Sequence, residues 1–249
     1  MILARALLFN IAFYLWTALV GILGLPLLLA PRRIIMRFGS LWSRGCLRIL
    51  AWTVGLEHEV RGAETLPPGP VIIAMKHQST WDTLALPVVF SDPAIVIKRE
   101  LAWIPIYGWY ALRAGAIPID RGGGAGALKR MMTRARAAAE AARPIAIFPE
   151  GTRTAVGTRR PYQPGVAALY TQLALPLVPV AVNSGLFWGR RAFLKRPGRI
   201  TIEILPAIAP GAPRRAVMAE LEQRIEQATA RLVAEAEGHT PSPSLRAAG

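Results

Sequence analysis

The residues best suited to chemistry lie at positions 76–82, Lys-His-Gln-Ser-Thr-Trp-Asp, directly after the apolar run Val71–Met75. His77 can lose or gain a proton near neutral pH, and a carboxylate such as Asp82 can hold its tautomer and stabilise the imidazolium that forms. In a continuous helix the two side chains would lie about 140° apart around the axis and could not touch. The spacing therefore predicts His77 in a turn and Asp82 in the first turn of a helix that begins after Ser79.

Ser79 and Asp82 support this arrangement, because they have the spacing of a helix capping box. A helix that starts there leaves His77 at a strand-to-helix junction, which is a usual place for functional groups in α/β folds. The alternative is that Asp82 only caps the helix and that His77 is an incidental polar residue. A short motif on its own does not decide between the two, since such strings often match by chance.

Two further clusters place an acid, a base and a glycine at the end of a predicted strand. Residues 115–121 read GAIPIDR, and residues 148–153 read FPEGTR. Arg121 and Arg153 carry forked donors that match phosphate oxygens two at a time. Gly151 would allow a ligand to approach the backbone closely. Taken singly, each cluster could equally be a structural ion pair or an ordinary turn.

The elements that must position these residues begin at about Leu56, where short apolar runs alternate with helical stretches. The runs are apolar on both faces, as expected for a sheet that is covered on both sides. This alternation predicts an α/β fold with a central, mostly parallel or mixed sheet flanked by helices. The predicted strands are Glu57–Arg61, Val71–Met75, Ala94–Lys98, Ala116–Ile119, Ile145–Phe148, Val178–Val182 and Ile200–Leu205, and the predicted helices are Thr80–Phe90, Gly126–Ala142, Val166–Leu173 and Arg214–Glu237.

From Ala6 to Ala30 the chain carries no charged residue, and large apolar side chains dominate it. Since about 20 such residues in a helix cross the hydrocarbon core of a bilayer, this stretch predicts a helix that associates with a membrane. Arginines follow the stretch, so the positive-inside rule places the main body of the protein on the cytoplasmic side. A cleaved signal peptide and a buried core helix are the alternatives.

A second N-terminal segment, residues 33–53, is apolar but interrupted by arginines, which predicts a helix at the membrane interface. Whether the first helix spans the bilayer stays open. The alternative is a re-entrant pair of helices that dips in from one side and bends between Gly21 and Pro31. The predicted apolar face of the second helix comprises Met36, Leu41, Trp42, Leu47, Leu50 and Trp52.

The composition points to an anionic partner. Just over half of the residues are hydrophobic (53%), yet the net charge is +15. The high hydrophobicity favours an anionic phospholipid membrane, and the scattered basic residues argue against a nucleic acid. Cys46 is the only cysteine and the chain has three histidines, so neither an intrachain disulfide nor a metal site is predicted.

Together and in this order, the clusters resemble the glycerophospholipid acyltransferase family, most closely its lysophosphatidate (1-acylglycerol-3-phosphate) acyltransferases. The resemblance runs from about Leu56 to Ile204. It places the family's catalytic dyad on His77 and Asp82. The chain departs from the family's usual pattern at Pro118, where an aromatic is common, and at Lys76, where asparagine is common. The glycerophosphate-binding positions implied by the resemblance are Gly115, Asp120, Arg121, Glu150, Gly151, Thr152 and Arg153.

The resemblance implies transfer of a fatty acyl group to the sn-2 hydroxyl of lysophosphatidic acid, which gives phosphatidic acid for phospholipid biosynthesis. The co-substrate would be acyl-CoA or acyl-carrier protein, with no bound cofactor. Other acceptors (glycerol 3-phosphate or lyso-ornithine lipid) and a non-catalytic basic membrane adaptor are the alternatives. The expected location is a bacterial-type inner, cytoplasmic membrane. The expected organisation is a membrane-associated segment of one or two helices (1–54), an α/β acyltransferase domain (55–237) and a disordered tail (238–249).

Overall fold

The computed structural model describes residues 2–238, and within them seven helices and seven strands largely alternate after an N-terminal helical pair. All seven predicted strands and all four predicted helices of the α/β region are present, with ends shifted by a few residues. The helices are α1 Ile2–Leu23, α2 Arg32–Val54, α3 Thr80–Val89, α4 Tyr107–Arg113, α5 Gly124–Glu140, α6 Pro164–Leu173 and α7 Arg214–Ala236; the strands are β1 Leu56–Arg61, β2 Ile72–Met75, β3 Ala94–Lys98, β4 Ile117–Ile119, β5 Ile145–Ile147, β6 Leu177–Val182 and β7 Gly198–Ile204.

The seven strands form one sheet in the order β1-β7-β6-β2-β5-β3-β4. Every neighbouring pair is parallel except β6 and β7, so the predicted mixed sheet is confirmed. Because β2 to β6 all run in the same direction, their carboxyl ends meet at one edge of the sheet, here called the carboxyl edge. Functional side chains that follow these strands are thereby brought together.

Each face of the sheet is covered by helices, as the doubly apolar strands predict. Neighbouring residues of β2 point to opposite faces, so Ile72 and Ile73 belong to two different cores, and both are fully buried. The core that contains Ile73 is completed by α1, α2 and α3, and Trp81 is its largest fully buried side chain. The core that contains Ile72 is completed by α5, α6 and α7.

The N-terminal segment is a helical hairpin. After α1, a short 3₁₀ turn at Leu25–Leu29 reverses the chain, and α2 follows Pro31, so the predicted bend is confirmed. By length and composition, α1 is the one helix of the described chain that could cross a membrane, and only 11% of its most apolar window is buried. The predicted boundary near residue 54 coincides with the left-handed cap of α2 at Gly55. The division into separate parts stays a prediction, and the predicted tail lies outside the described residues except for Gly238.

The expectation of a single apolar face on α2 is wrong. Leu47 and Leu50 are buried against the sheet, whereas Leu41 and Trp52 are 54% and 89% exposed on the opposite side. The helix has two apolar sides because it forms part of the core and of the outer surface at once. The sequence analysis also did not predict α4. Trp103 lies just before this helix, is exposed, and adds to the outer apolar surface.

Helix α1 contacts the α/β region at two points, Asn10 and Gly21. Near its first turns, Asn10 Oδ1 accepts a hydrogen bond from Lys195 Nζ at 3.1 Å. Near its end, Tyr110 donates to the carbonyl oxygen of Gly21 at 3.2 Å. Eleven helical residues span about 16 Å, so α1 lies along the side of the domain rather than projecting away from it.

Lys195 should be a main attachment point of α1. Its ammonium lies 5.0 Å from the ring centroid of Phe9, 4.9 Å from that of Trp188 and 5.4 Å from that of Phe193. We expect Lys195→Ala to lower the free energy of unfolding by about 2 kcal/mol, because a desolvated cation–π contact is lost together with a hydrogen bond. Chemical unfolding in detergent measures this, with the exposed Lys129→Ala as the control. Equal stability of the two variants would contradict the assignment.

Candidate active site

The local structure around His77 is the one that the spacing predicts. The chain leaves β2 at Met75, turns through residues 76–79 without helical structure, and enters α3 at Thr80. Ser79 is the N-cap and forms a capping box with Asp82; its hydroxyl oxygen accepts a hydrogen bond from Trp81 N at 3.2 Å. The turn brings His77 Nδ1 within 2.9 Å of Asp82 Oδ2.

Asp82 is completely buried, and hydrogen bonds engage both of its oxygens. Besides the imidazole, Oδ2 accepts from the backbone N–H groups of Gln78 at 2.7 Å and Ser79 at 2.8 Å, while Oδ1 accepts from the hydroxyl of Ser184. An ionised carboxylate only accepts, so His77 Nδ1 must carry the proton and Nε2 is left as an acceptor. The arrangement can therefore take a proton from a substrate at Nε2.

The FPEGTR segment holds His77 from the other side. Phe148 stacks on the imidazole with ring centroids 3.8 Å apart and an angle of 15° between the planes. Glu150 Oε2 accepts the backbone N–H of His77 at 2.9 Å, and the backbone N–H of Thr154 donates to the carbonyl oxygen of His77 at 2.8 Å. The main chain and the ring of His77 are thus fixed independently. Sequence reasoning did not find the contributions of Phe148, Thr154 and Ser184.

Glu150 is turned inward rather than toward a ligand. Its side chain is fully buried, with Oε1 2.8 Å from Lys76 Nζ and Oε2 on the His77 amide. A carboxylate would in any case repel a phosphate. The structure therefore gives Glu150 a scaffolding position, in place of the direct glycerophosphate contact expected from the sequence.

Arg121, Gly151, Thr152 and Arg153 lie together at the carboxyl edge. Gly151 has φ +68°, and a Cβ there would crowd Gln163 Cγ at 3.0 Å, while Arg121 Nε lies 3.8 Å from the same point, so this backbone and the arginine are neighbours. Burial lowers the pKa of the Arg153 guanidinium, and the nearby charge of Asp82 opposes that shift. Within residues 2–238, neither guanidinium donates a hydrogen bond to a protein acceptor. Both keep their forked donors for an anionic ligand.

The remaining two predicted positions serve the scaffold. Asp120 accepts from Arg99 at 2.8 Å and from the backbone N–H of Gly122 at 3.1 Å, so it orders the loop after β4. Gly115 precedes β4 and therefore lies at the opposite edge of the sheet from the dyad. Its φ is +80°, and a Cβ would come within 2.6 Å of Arg143 Nη1, which explains glycine without a ligand. The structure does not bring Gly115 to the other site residues.

A cleft of about 260 Å³ is linked to the dyad through Phe148, which stacks on His77 and lines the cleft; the lining does not include His77, Asp82 or Arg153 themselves. Asp120, Arg121 and Gly151 form its polar end. A polar end joined to an apolar wall suits an amphiphilic substrate. No group of three or more metal-binding side chains occurs in the part of the chain that the structure describes. The apolar wall consists largely of Val96, Ile119, Ala127, Leu128 and Ile147.

Comparison with known proteins assigns the chain to a family. The model of the family described as Acyltransferase matches residues 57–183. The chain is 37% identical over 195 residues to a 1-acyl-sn-glycerol-3-phosphate acyltransferase of Pseudomonas aeruginosa, which covers 78% of this chain and 76% of the relative. The chain belongs to the 1-acyl-sn-glycerol-3-phosphate acyltransferase family. The resemblance carried by the sequence clusters is thereby confirmed, and with it the assignment as an acyltransferase of phospholipid biosynthesis.

Further relatives agree with this acyltransferase assignment. The alpha form of 1-acyl-sn-glycerol-3-phosphate acyltransferase from Mus musculus is 31% identical over 206 residues, which cover 81% of this chain and 72% of the mouse protein. The crystal structure of the 1-acyl-sn-glycerophosphate (LPA) acyltransferase from Thermotoga maritima superposes with a TM-score of 0.76 at 20% identity. That match covers 93% of this acyltransferase and 98% of the other chain, so the two share their fold, including the N-terminal helices.

Proposed function

We propose that the protein transfers a fatty acyl group from a thioester to the sn-2 hydroxyl of 1-acylglycerol 3-phosphate and thereby forms phosphatidic acid. One observation carries the proposal: the His77–Asp82 pair leaves Nε2 as an acceptor, and the charge of Asp82 acts on the guanidinium of Arg153, which like that of Arg121 has no protein partner among the described residues. A base next to an anion-binding group is what a phosphate-bearing alcohol requires.

In the proposed reaction, His77 Nε2 removes the hydroxyl proton as the oxygen attacks the thioester carbonyl. A C–O bond forms, the C–S bond breaks when the tetrahedral intermediate collapses, and the proton on Nε2 passes to the departing thiolate. Asp82 stabilises the imidazolium between the two steps. General-base assistance of this kind contributes about 10²- to 10⁴-fold to the rate.

No enzyme nucleophile is needed, because the thioester is already activated. Cys46 is buried, and burial raises the pKa of its thiol to about 12, so it supplies almost no thiolate near neutral pH. The oxygen of Ser79 is engaged in the helix cap. The donor is acyl-CoA or acyl-carrier protein as a co-substrate, and we propose that the enzyme holds no other cofactor and no metal.

We assign the acceptor phosphate to Arg121 and Arg153, with Gly151 and Thr152 forming the backbone between them. Holding the phosphate fixes the hydroxyl near His77, and such positioning lowers the barrier by making the step effectively intramolecular.

Arg153→Ala should therefore raise KM for lysophosphatidate about tenfold or more while kcat changes little, because the phosphate contact is the same in the ground state and the transition state. Steady-state kinetics on lysophosphatidate vesicles measure the split. Arg159→Ala, an exposed change in the same loop, is the control. A loss confined to kcat would place Arg153 elsewhere in the mechanism.

We propose that the protein binds an anionic phospholipid membrane, the inner membrane of a bacterial-type cell, from the cytoplasmic side. The outer side of the N-terminal hairpin exposes large apolar side chains, among them Leu15 on α1 at 65%, Leu29 in the turn at 89% and Trp52 on α2 at 89%, and exposed apolar side chains on one helical hairpin are typical of a membrane contact. Since α1 contacts the α/β region at both Asn10 and Gly21, we propose that the hairpin dips into one leaflet. Cysteines introduced at the two ends of α1 should both be labelled from the cytoplasmic side of sealed vesicles; labelling from opposite sides contradicts this.

The acceptor is tested with purified protein and one acyl thioester, offered lysophosphatidate, glycerol 3-phosphate and lyso-ornithine lipid in competition. The proposal predicts that lysophosphatidate is acylated with the highest kcat/KM. Preference for either other acceptor would contradict the assignment of the acceptor, and failure to consume any thioester would favour a non-catalytic membrane adaptor.

A further inference from the structure

A buried lysine directly precedes the histidine of the dyad. The side chain of Lys76 is 1% exposed, and its Nζ lies 2.8 Å from Glu150 Oε1 and 2.6 Å from Glu226 Oε1. Burying an ammonium group is costly unless carboxylates pair with it. The two carboxylates come from distant parts of the chain, since Glu226 lies on α7, 150 residues after Lys76.

These contacts form a continuous chain that ends on the histidine. Glu226 holds Lys76, Lys76 holds Oε1 of Glu150, and Oε2 of Glu150 accepts the backbone N–H of His77 at 2.9 Å. Tyr162 donates its hydroxyl to Glu226 Oε1 at 3.1 Å. Burial and the charges of Glu226 and Glu150 raise the pKa of Tyr162, so this hydroxyl stays protonated and can donate. Both oxygens of the Glu150 carboxylate thus accept a hydrogen bond, one from Lys76 and one from the backbone N–H of His77.

We propose that Lys76 and Glu226 are positioning residues, which hold Glu150 and, through it, the main chain of His77 in the geometry that proton transfer requires. The inference rests on the proposed role of His77 as general base. Both side chains are buried, Lys76 at 1% exposed and Glu226 at 8%, so neither is open to a substrate. Helix α7, which lies outside the sequence clusters at residues 76–82, 115–121 and 148–153, thereby becomes part of the scaffold of the active site.

The charges of the cluster set the direction of the expected effects. One ammonium faces two carboxylates, so removing Lys76 leaves Glu150 and Glu226 buried together without a cation. The two carboxylates should then repel each other, and Glu150 should leave the amide of His77. Removing the charge of Glu226 instead leaves the pair of Lys76 and Glu150 balanced.

We therefore expect Lys76→Met to lower kcat about 10²-fold, since a displacement of about 1 Å at a catalytic group has that effect, while KM for the acceptor changes less than about twofold. Glu226→Gln should lower kcat by less than about tenfold. The double variant should turn over faster than Lys76→Met, because the second uncompensated carboxylate is gone. Steady-state kinetics well below the unfolding temperature measure all three. Arg224→Met removes an exposed ion pair with Glu220 from the same helix and should leave kcat unchanged.

A kcat of Lys76→Met within about threefold of wild type would overturn the proposal. So would a double variant whose fold-loss in kcat equals the product of the losses in the two single variants, because Lys76 and Glu226 would then not be coupled. If Lys76→Met does not fold, the comparison moves to the Glu226→Gln background, where adding Lys76→Met should still cost about tenfold in kcat; a loss under about threefold there overturns it as well. All rates are measured on whichever acceptor the wild type uses best. A wrong acceptor assignment therefore does not mask the result.

Discussion

Replacing His77 by alanine should lower kcat for acyl transfer about 10³-fold, while the protein still folds and binds the membrane. The imidazole lies at the carboxyl edge with Nε2 left as an acceptor for the hydroxyl proton, and general-base assistance is worth about 10²- to 10⁴-fold. The fold should survive because the main-chain bonds of His77 to Glu150 and Thr154 do not depend on its side chain. Product formation under saturating lysophosphatidate and thioester measures the effect.

His58→Ala is the matched control for this prediction. His58 lies on β1, which is an edge strand of the sheet, and its ring packs against that of Trp81, with centroids 5.6 Å apart, rather than forming part of the dyad. This variant should retain wild-type kcat. Turnover of His77→Ala within about threefold of wild type would end the general-base proposal.

Replacing Asp82 by asparagine should lower kcat about 10²-fold, a smaller loss than that of His77→Ala. The backbone N–H groups of Gln78 and Ser79 both point at Oδ2, so they should keep an oxygen at that position and hold the asparagine in one orientation. The imidazole can then remain bonded, but it loses the negative charge that stabilises its protonated form.

Asp82→Ala separates this electrostatic effect from the structural one. It removes the capping box as well and leaves the N–H groups of Gln78 and Ser79 without their acceptor, so it should also lower stability by about 1–2 kcal/mol. An Asp82→Asn variant with wild-type kcat would show that the carboxylate acts only as a helix cap.

Much of the fold could be predicted because its strands are buried on both faces. Runs such as Val178–Val182 are apolar throughout and are bounded by turn residues, which distinguishes them from amphipathic surface helices. The dyad could be located because the capping-box spacing of Ser79 and Asp82 fixes where α3 begins. That start then determines that His77 lies in a turn close to the carboxylate.

The orientation of individual side chains was not accessible in this way. Glu150 follows a strand, as predicted, but its inward turn depends on Lys76, and the partner of Lys76 on α7 lies 150 residues away. The contact between Ser184 and Asp82 joins residues 102 positions apart. Gly115 shares a segment with Arg121, yet the strand between them places the two at opposite edges of the sheet. Pairings of this kind are set by the tertiary packing, and local sequence patterns do not encode them.

The central claim is that a hydroxyl whose phosphate is held by arginines is deprotonated by His77. Its most direct test compares the acylation of lysophosphatidate with that of the matching 1-acylglycerol, which has the same hydroxyl and the same chain but no phosphate, by the purified enzyme with one acyl thioester. We predict a kcat/KM for lysophosphatidate at least about 10²-fold higher, an advantage that shrinks in Arg153→Ala, and acylation at the sn-2 oxygen. Equal kcat/KM values for the two acceptors would contradict the account.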